Sequence, residues 1–194
     1  MPRASQGFAM AIRTNTAFEI GSGPSSPSSQ NLNIPHVEQA KTEWCWVACT
    51  KMVLTVFQQD VEQCNIASVL FPSDGCCQAL DDETTCNEGC DKEDILKVYN
   101  KFGVTATFID DTVSFPTIRS RIRDQKTPVQ VCINWDEGGA HVLVIFGWRV
   151  SGSKRYLRIH DSLNHGFGEI RFSELGRYLG QGDWTMTWLD FDGN

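Results

Sequence analysis

From Trp44 to Phe57, apolar side chains cover most of a helical wheel. Trp46, Val47, Ala48, Met52, Val53, Leu54, Val56 and Phe57 leave Lys51 and Thr55, one turn apart, as the only polar stripe. A helix that apolar belongs inside a core. A second short helix fits residues 60–70, and the cysteine-rich stretch from Pro72 to Cys90 reads as a stapled loop. Asp91 stands at the N-cap of "KEDILKVYNKFG", with Gly103 as its stop. The period then changes. "VTATFI" reads as a strand, and "SFPTIRSRIRD" returns to helix with Ser114 as N-cap and Ile118 and Ile122 on one face. "VQVCINW", "HVLVIFGWRV", "RYLRIHD" and "WTMTWLDF" follow as strands, with "VSGSK" turning between the second and third. Helices followed by antiparallel strands predict an α+β fold: an N-terminal helical lobe and a C-terminal antiparallel sheet lobe.

Residues 21–31, "GSGPSSPSSQN", are too rich in Gly, Ser and Pro to bury much and read as a linker. Residues 1–31 are therefore expected to be a flexible N-terminal segment, a pro or delivery piece. The folded domain is then 32–194. At 194 residues, with 41% hydrophobic residues and six tryptophans, the chain can build one real core. No apolar run is long enough to cross a bilayer. The net charge of −7, without a basic stripe, argues against nucleic acid as a partner.

The eight cysteines change the picture most. Cys64, Cys76, Cys77, Cys86 and Cys90 crowd one stretch, which favours an oxidising compartment and local disulfides whose pairing spacing cannot assign. A zinc site from Cys76, Cys77, Cys86 and Cys90 is disfavoured, because adjacent cysteines rarely share one tetrahedral ion. Neither metal nor cofactor is expected. The N-terminus "MPRASQGFAMAIRTNTAFEI" makes a poor secretory signal, since Arg13 and Asn15 interrupt its apolar region. The cysteines outweigh it, so a secreted or delivered protein is the expectation.

Three residues carry candidate chemistry. Cys45 begins the buried helix, where backbone N–H groups and the helix dipole favour a thiolate. Cys49, one turn deeper, lacks that advantage and is expected to pack or to form a disulfide. His141 follows "DEGGA" at the mouth of a strand, from which it can reach across a cleft. Asp161 ends the next strand, and hairpin pairing would bring it to the imidazole, to orient the ring and stabilise its charged form. A metal set of His160, Asp161 and His165 is the alternative, weakened because His160 and Asp161 point to opposite faces of one strand. Gln39, in "QAKTEWC", is positioned to donate to an oxyanion beside the Cys45 N–H. Trp44 and Trp46 bracket Cys45 as a cleft wall and a wedge. Trp135 and Trp184 are expected to shield the His141–Asp161 pair from water, while Trp148 and Trp188 are expected to fill core.

Gln39, Cys45, His141 and Asp161 stand in the chain order of the papain-like cysteine peptidases, which the sequence resembles. Cys45 is followed by Trp46, as in the papain signature. Trp44 replaces a small residue, Asp replaces Asn, and the nucleophile-to-histidine distance is shorter than papain's ~130–150 residues. These departures resemble the compact bacterial branch, the avirulence-protease effectors and the bacteriocin-leader peptidases. "QAKTEWCWVACTKMVL", "W-x-x-GG-x-H", "HDS" and "GQGDWTMTWLD" carry that likeness, with "HDS" in place of the more usual Asp-Pro. The resemblance implies peptide hydrolysis through a thioester on Cys45, with a protein or peptide as the substrate. Acyl transfer, deamidation or cell-wall amide hydrolysis would use the same triad. A catalytically silent, disulfide-stapled binding module is the non-enzymatic alternative.

Overall fold

The computed structural model describes residues 27–72, 75–163 and 166–193. The apolar stretch after Trp44 forms α1 (Cys45–Leu54) and a 3-10 turn (Thr55–Phe57). Trp46, Val47, Ala48, Cys49, Met52, Val53 and Leu54 are all buried. Each large side chain so buried contributes about 1.5–3 kcal/mol, which explains why α1 forms without any side-chain cap. The helix expected over 60–70 shortens to α2 (Gln63–Ala67). Asp91 holds the N-cap position of α3 (Lys92–Lys101) but makes no capping bond; Glu93 and Asp94 supply negative charge to its first turn instead. Ser114 does cap α4 (Phe115–Ser120), its hydroxyl accepting from the Thr117 N–H at 3.3 Å. A π-helical turn (Arg121–Gln125) continues α4.

The strands form one antiparallel sheet. They are β1 (Ser29–Asn31), β2 (Val104–Ile109), β3 (Val129–Trp135), β4 (Ala140–Ser151), β5 (Lys154–Asp161), β6 (Gly166–Arg171), β7 (Arg177–Tyr178) and β8 (Gly182–Gly193). A short helix, α5 (Phe172–Leu175), sits between β6 and β7. The order across the sheet is β2-β8-β3-β4-β5-β6, with β1 paired to β4 and β7 to β8.

Both faces of the sheet are covered. Val142, Val144 and Phe146 of β4 enter a core with α1, α2 and α3. Leu143 and Ile145 enter a second core with Ile118, Ile122, Val131 and Ile133. That is why β4 reads as a continuous apolar run rather than an alternating one.

The N-terminal boundary lies earlier than expected. Residues 29–31, read as linker, pair with β4 beyond the end of β3, with Ser29 opposite Arg149 and Asn31 opposite Gly147. At that point β4 has an open edge, because β3 begins at Val129 opposite Ile145. The close approach needs glycine: a Cβ on Gly147 would lie 2.3 Å from Asn31 Oδ1. The rest of the expected linker and appendage, residues 1–26, lies outside the described residues. The strand β6, the helix α5 and the strand β7 were not anticipated; "GFGEIR" carries too few β-formers to announce a strand.

Candidate active site

The loop leading into α1 is anchored from several sides. Trp44 is fully buried, and its Nε1–H donates to the Cys86 carbonyl at 2.6 Å. The Trp46 Nε1–H donates to the Glu88 carbonyl at 3.0 Å. Lys41 is buried with its Nζ between the carbonyls of Ala79, Asp82 and Thr85, at 2.6–2.8 Å. The cysteine-rich loop is thus tied down over the start of α1. Two disulfides, Cys64–Cys77 and Cys76–Cys86, hold the loop itself. Cys76, Cys77 and Cys86 are therefore not available to a metal. Cys90, expected among the disulfide cysteines, is free, because its would-be partners are already joined. Trp44 is no cleft wall; its indole lies beneath this loop.

Cys45 is the first residue of α1, so its N–H has no partner within the helix. Its side chain is near enough to the His141 ring to help raise the pKa of that ring. His141 Nε2 lies 2.8 Å from Asp161 Oδ1, leaving Nδ1 for the sulfur, and both side chains are almost wholly buried. Strand register explains the pair. Leu143 of β4 sits opposite Asp161 of β5, so His141, two positions along, shares Asp161's face as a diagonal neighbour. His160 consequently faces the other side, where it stacks on Phe146 and reaches the Ile34 carbonyl. His165 lies outside the described residues.

Electrostatics follow from this geometry. Burial alone would push the His141 pKa down. The hydrogen bonds and negative charges of Asp161 and Cys45 overcome it and raise the pKa to about 9. Burial would likewise raise the Asp161 pKa. The His141 ring first, then the Leu163 N–H and the Tyr178 hydroxyl, hold its carboxyl below the ordinary carboxylate range. Burial, foremost, raises the pKa of the thiols of Cys49 and Cys90, and raises that of Cys132 to about 12. Cys49 donates to the Val142 carbonyl at 3.2 Å and is a packing residue, not half of a disulfide.

Tyr178 was missed by sequence reasoning. Its hydroxyl donates to Asp161 Oδ2 at 2.8 Å from a buried position. Its ring lies 6.1 Å from Trp135, which in turn stacks on His141 at 6.0 Å and 17°. Arg177 pins this hairpin to the β3–β4 loop through Asp136. Gly182 makes room, since a Cβ there would lie 2.6 Å from Trp135 Cε3. A two-residue strand in a Gly-rich turn offers no sequence signal for such a role. Trp135 thus sits against the His141 ring. Trp184 does not: register places it opposite Ile133 and within the second core, with its N–H on Met186 O and Thr187 Oγ1.

Gln39 lies beside the site but is not aimed into open space. Its Nε2 donates to the Lys41 and Thr42 carbonyls at 2.9 and 2.6 Å. Its Oε1 accepts from Ser162 Oγ at 2.9 Å, and its backbone N–H donates to the Ser162 carbonyl. Gln39 therefore clips the entry to α1 to the turn that follows Asp161. Cys45 also lines a cavity of about 220 Å³, together with Trp46, Cys90, Cys132, Val142, Met186 and Trp188 among others. Trp188, expected to fill core, does so against Phe108 and also faces this cavity.

No curated protein matches the chain. Several solved structures share its fold. The peptidase domain of Streptococcus ComA, a bi-functional ABC transporter of a quorum-sensing pathway, matches with TM-score 0.57 at 13% identity, over 83% of this chain and 99% of that one. A double glycine motif protease from an AMS/PCAT transporter, in complex with its leader peptide, matches with TM-score 0.51 at 17% identity, over 84% and 94%. A structure from work on the mite allergens Blo t 1 and Der p 1 matches with TM-score 0.54 at 10% identity, over 88% and 73%. The family described as papain-like cysteine protease AvrRpt2 matches residues 28–168. That span runs from the edge of β1 into β6 and holds the whole Cys45–His141–Asp161 chain. With that match over most of its length, and an α+β papain-like fold around it, the chain belongs to the AvrRpt2 family of papain-like cysteine proteases.

Proposed function

We propose that Cys45, His141 and Asp161 form the catalytic triad of a peptidase that cleaves peptide bonds through a thioester. The observation that carries this reading is the buried His141–Asp161 hydrogen bond at 2.8 Å, with Cys45 at the start of α1 acting on the same imidazole. The raised His141 pKa keeps that ring charged at neutral pH, where it can partner the thiolate form of Cys45, the form that reacts. The thiolate attacks the scissile carbonyl carbon, and the carbonyl oxygen takes the negative charge. His141 passes its Nδ1 proton to the departing amine, leaving a thioester on Cys45. Water, deprotonated by the now neutral ring, attacks the thioester and restores the ion pair. Asp161 fixes the Nε2–H tautomer throughout.

The Cys45 N–H, at the open end of α1, is the oxyanion donor already free to serve. Gln39 joins it by giving up one of its two carbonyl bonds, so it contributes less than a donor aimed in advance. The leader-peptide complex of the double glycine motif protease supports a protein or peptide substrate here. Family membership and the two disulfides support a bacterial protein delivered outside its cell. The test is digestion of a diverse peptide library under mild reduction. Wild type is expected to cleave and Cys45→Ala to be inert; equal cleavage by both overturns the assignment. Product masses showing addition of water separate hydrolysis from acyl transfer.

A further inference from the structure

Away from the triad, one groove runs against the charge of the chain. It is lined by Arg119 of α4, Arg123 of the π-helical turn, Lys154 and Arg155 at the start of β5, and Arg171 at the end of β6. Its two parts, about 510 and 380 Å³, share Ser153 and Arg155, and no carboxylate lines either one. That segregation runs against the net charge of −7.

Two of the guanidinium groups are held in place. Arg119 lies over Trp148 at 4.6 Å and Arg155 over Phe115 at 5.5 Å. The Arg119 Nε is buried and has no hydrogen-bond partner. Among the described residues, no carboxylate pairs with Arg119, Lys154 or Arg155. Arg123 and Arg171 are partly neutralised by Asp124 and Glu174. Stacking packs these guanidinium groups without neutralising their charge. Stacking fixes the fork before a ligand arrives and lowers the ordering cost of binding.

We propose that this groove binds an anion carrying several phosphate groups, either a free polyphosphorylated molecule or a clustered lipid headgroup. Guanidinium forks match phosphate oxygens two at a time, and three unpaired cations spread along a groove suit clustered phosphates better than a single carboxylate. The site is independent of the triad. β5 runs from Lys154 to Asp161, so the groove lies roughly 20 Å from the catalytic carboxylate at ~3.3 Å per residue. A ligand there leaves Cys45 open.

The test uses the full chain, with inorganic tripolyphosphate and inositol hexakisphosphate as probes and sodium sulfate at matched ionic strength as the reference. Calorimetric titration is expected to show saturable binding of both probes and none of sulfate. Lys154→Gln with Arg155→Gln changes only exposed side chains, so the fold survives, and affinity is expected to fall roughly tenfold or more. Arg119→Lys keeps the charge but loses the fork, and is expected to weaken binding as well. Lys101→Gln, at the far end of α3, is expected to bind as wild type does. No saturable binding by wild type, or equal affinity in the double variant, overturns the proposal. Sedimentation with phosphatidylcholine vesicles, with and without phosphatidylinositol bisphosphate, then assigns the source. Co-sedimentation only with the phosphorylated lipid identifies a headgroup; binding of the free probes alone identifies a soluble ligand. Cleavage by Cys45-intact protein is unaffected in either case.

Discussion

Tyr178→Phe removes one hydroxyl from a buried polar contact of the site. In wild type that hydroxyl donates to Asp161 Oδ2 at 2.8 Å, with both residues buried. The phenyl ring would remain beside Trp135, so packing is preserved and the loss is a hydrogen bond to a charged group. Such bonds contribute about 1.5–3 kcal/mol. The sign with pH follows from Asp161, whose folded pKa is depressed. It therefore contributes stability above its unfolded value of ~3.9, and that contribution is lost as pH falls through the folded value. Without the Tyr178 donor the depression shrinks. The variant is expected to be less stable by about 1.5–3 kcal/mol near neutral pH. Once Asp161 is protonated, the deficit is expected to narrow to the ~0.5–1.5 kcal/mol of a neutral bond. Urea denaturation followed by circular dichroism, at a series of pH values, measures both. A deficit that stays constant across the carboxylate's titration, or one under about 0.5 kcal/mol at neutral pH, would refute the reasoning.

Other expectations follow from the same geometry. The rate kcat/KM is expected to fall on the alkaline side with a midpoint at about 9, where His141 loses its proton. Asp161→Asn removes a charge that raises that value, so the alkaline limb should move down by about one unit or more; an unmoved limb would show that Asp161 does not act on the ring. The raised His141 pKa also means that stability present below ~6.5 is lost as pH rises through about 9, which a pH series of melting curves would register. Gly182→Ala drives a methyl into Trp135, Ile133 and the Asn134 carbonyl. It should cost about 1–3 kcal/mol and alter the tryptophan near-ultraviolet signal, whereas an unchanged melting temperature would mean the hairpin yields freely. Gln39→Ala should lose less than the ~10²–10³-fold in kcat typical of a donor aimed in advance, because both of its N–H groups already hold loop carbonyls. A loss as large as that would mean the amide turns fully into the oxyanion position.

Local pattern and long-range contact divided the structure between them. The buried helix at Cys45, the strand ends that carry His141 and Asp161, and the α+β order were legible because each is set by period, composition and turn residues within a short window. The resemblance rested on the same local blocks. Gln39 was legible as a position but not as a contact, since its bonds to Lys41, Thr42 and Ser162 depend on how two distant loops meet. The tryptophans show the division most clearly. Their number was visible in the chain, but an indole buries equally well against any apolar wall. Only tertiary packing sent Trp44 under the disulfide-held loop, Trp184 into the second core, and Trp135 onto His141. Cysteine pairing was open for the same reason: spacing admits several partners, and the fold of the loop chose Cys64–Cys77 and Cys76–Cys86 and left Cys90 beside the cavity. By itself, then, the sequence determined that Cys45 opens a buried helix and that His141 and Asp161 lie at strand ends, because helix start and strand pattern are local properties. What holds that acid in place, Tyr178 from a two-residue strand far along the chain, was decided only when the sheet closed around it.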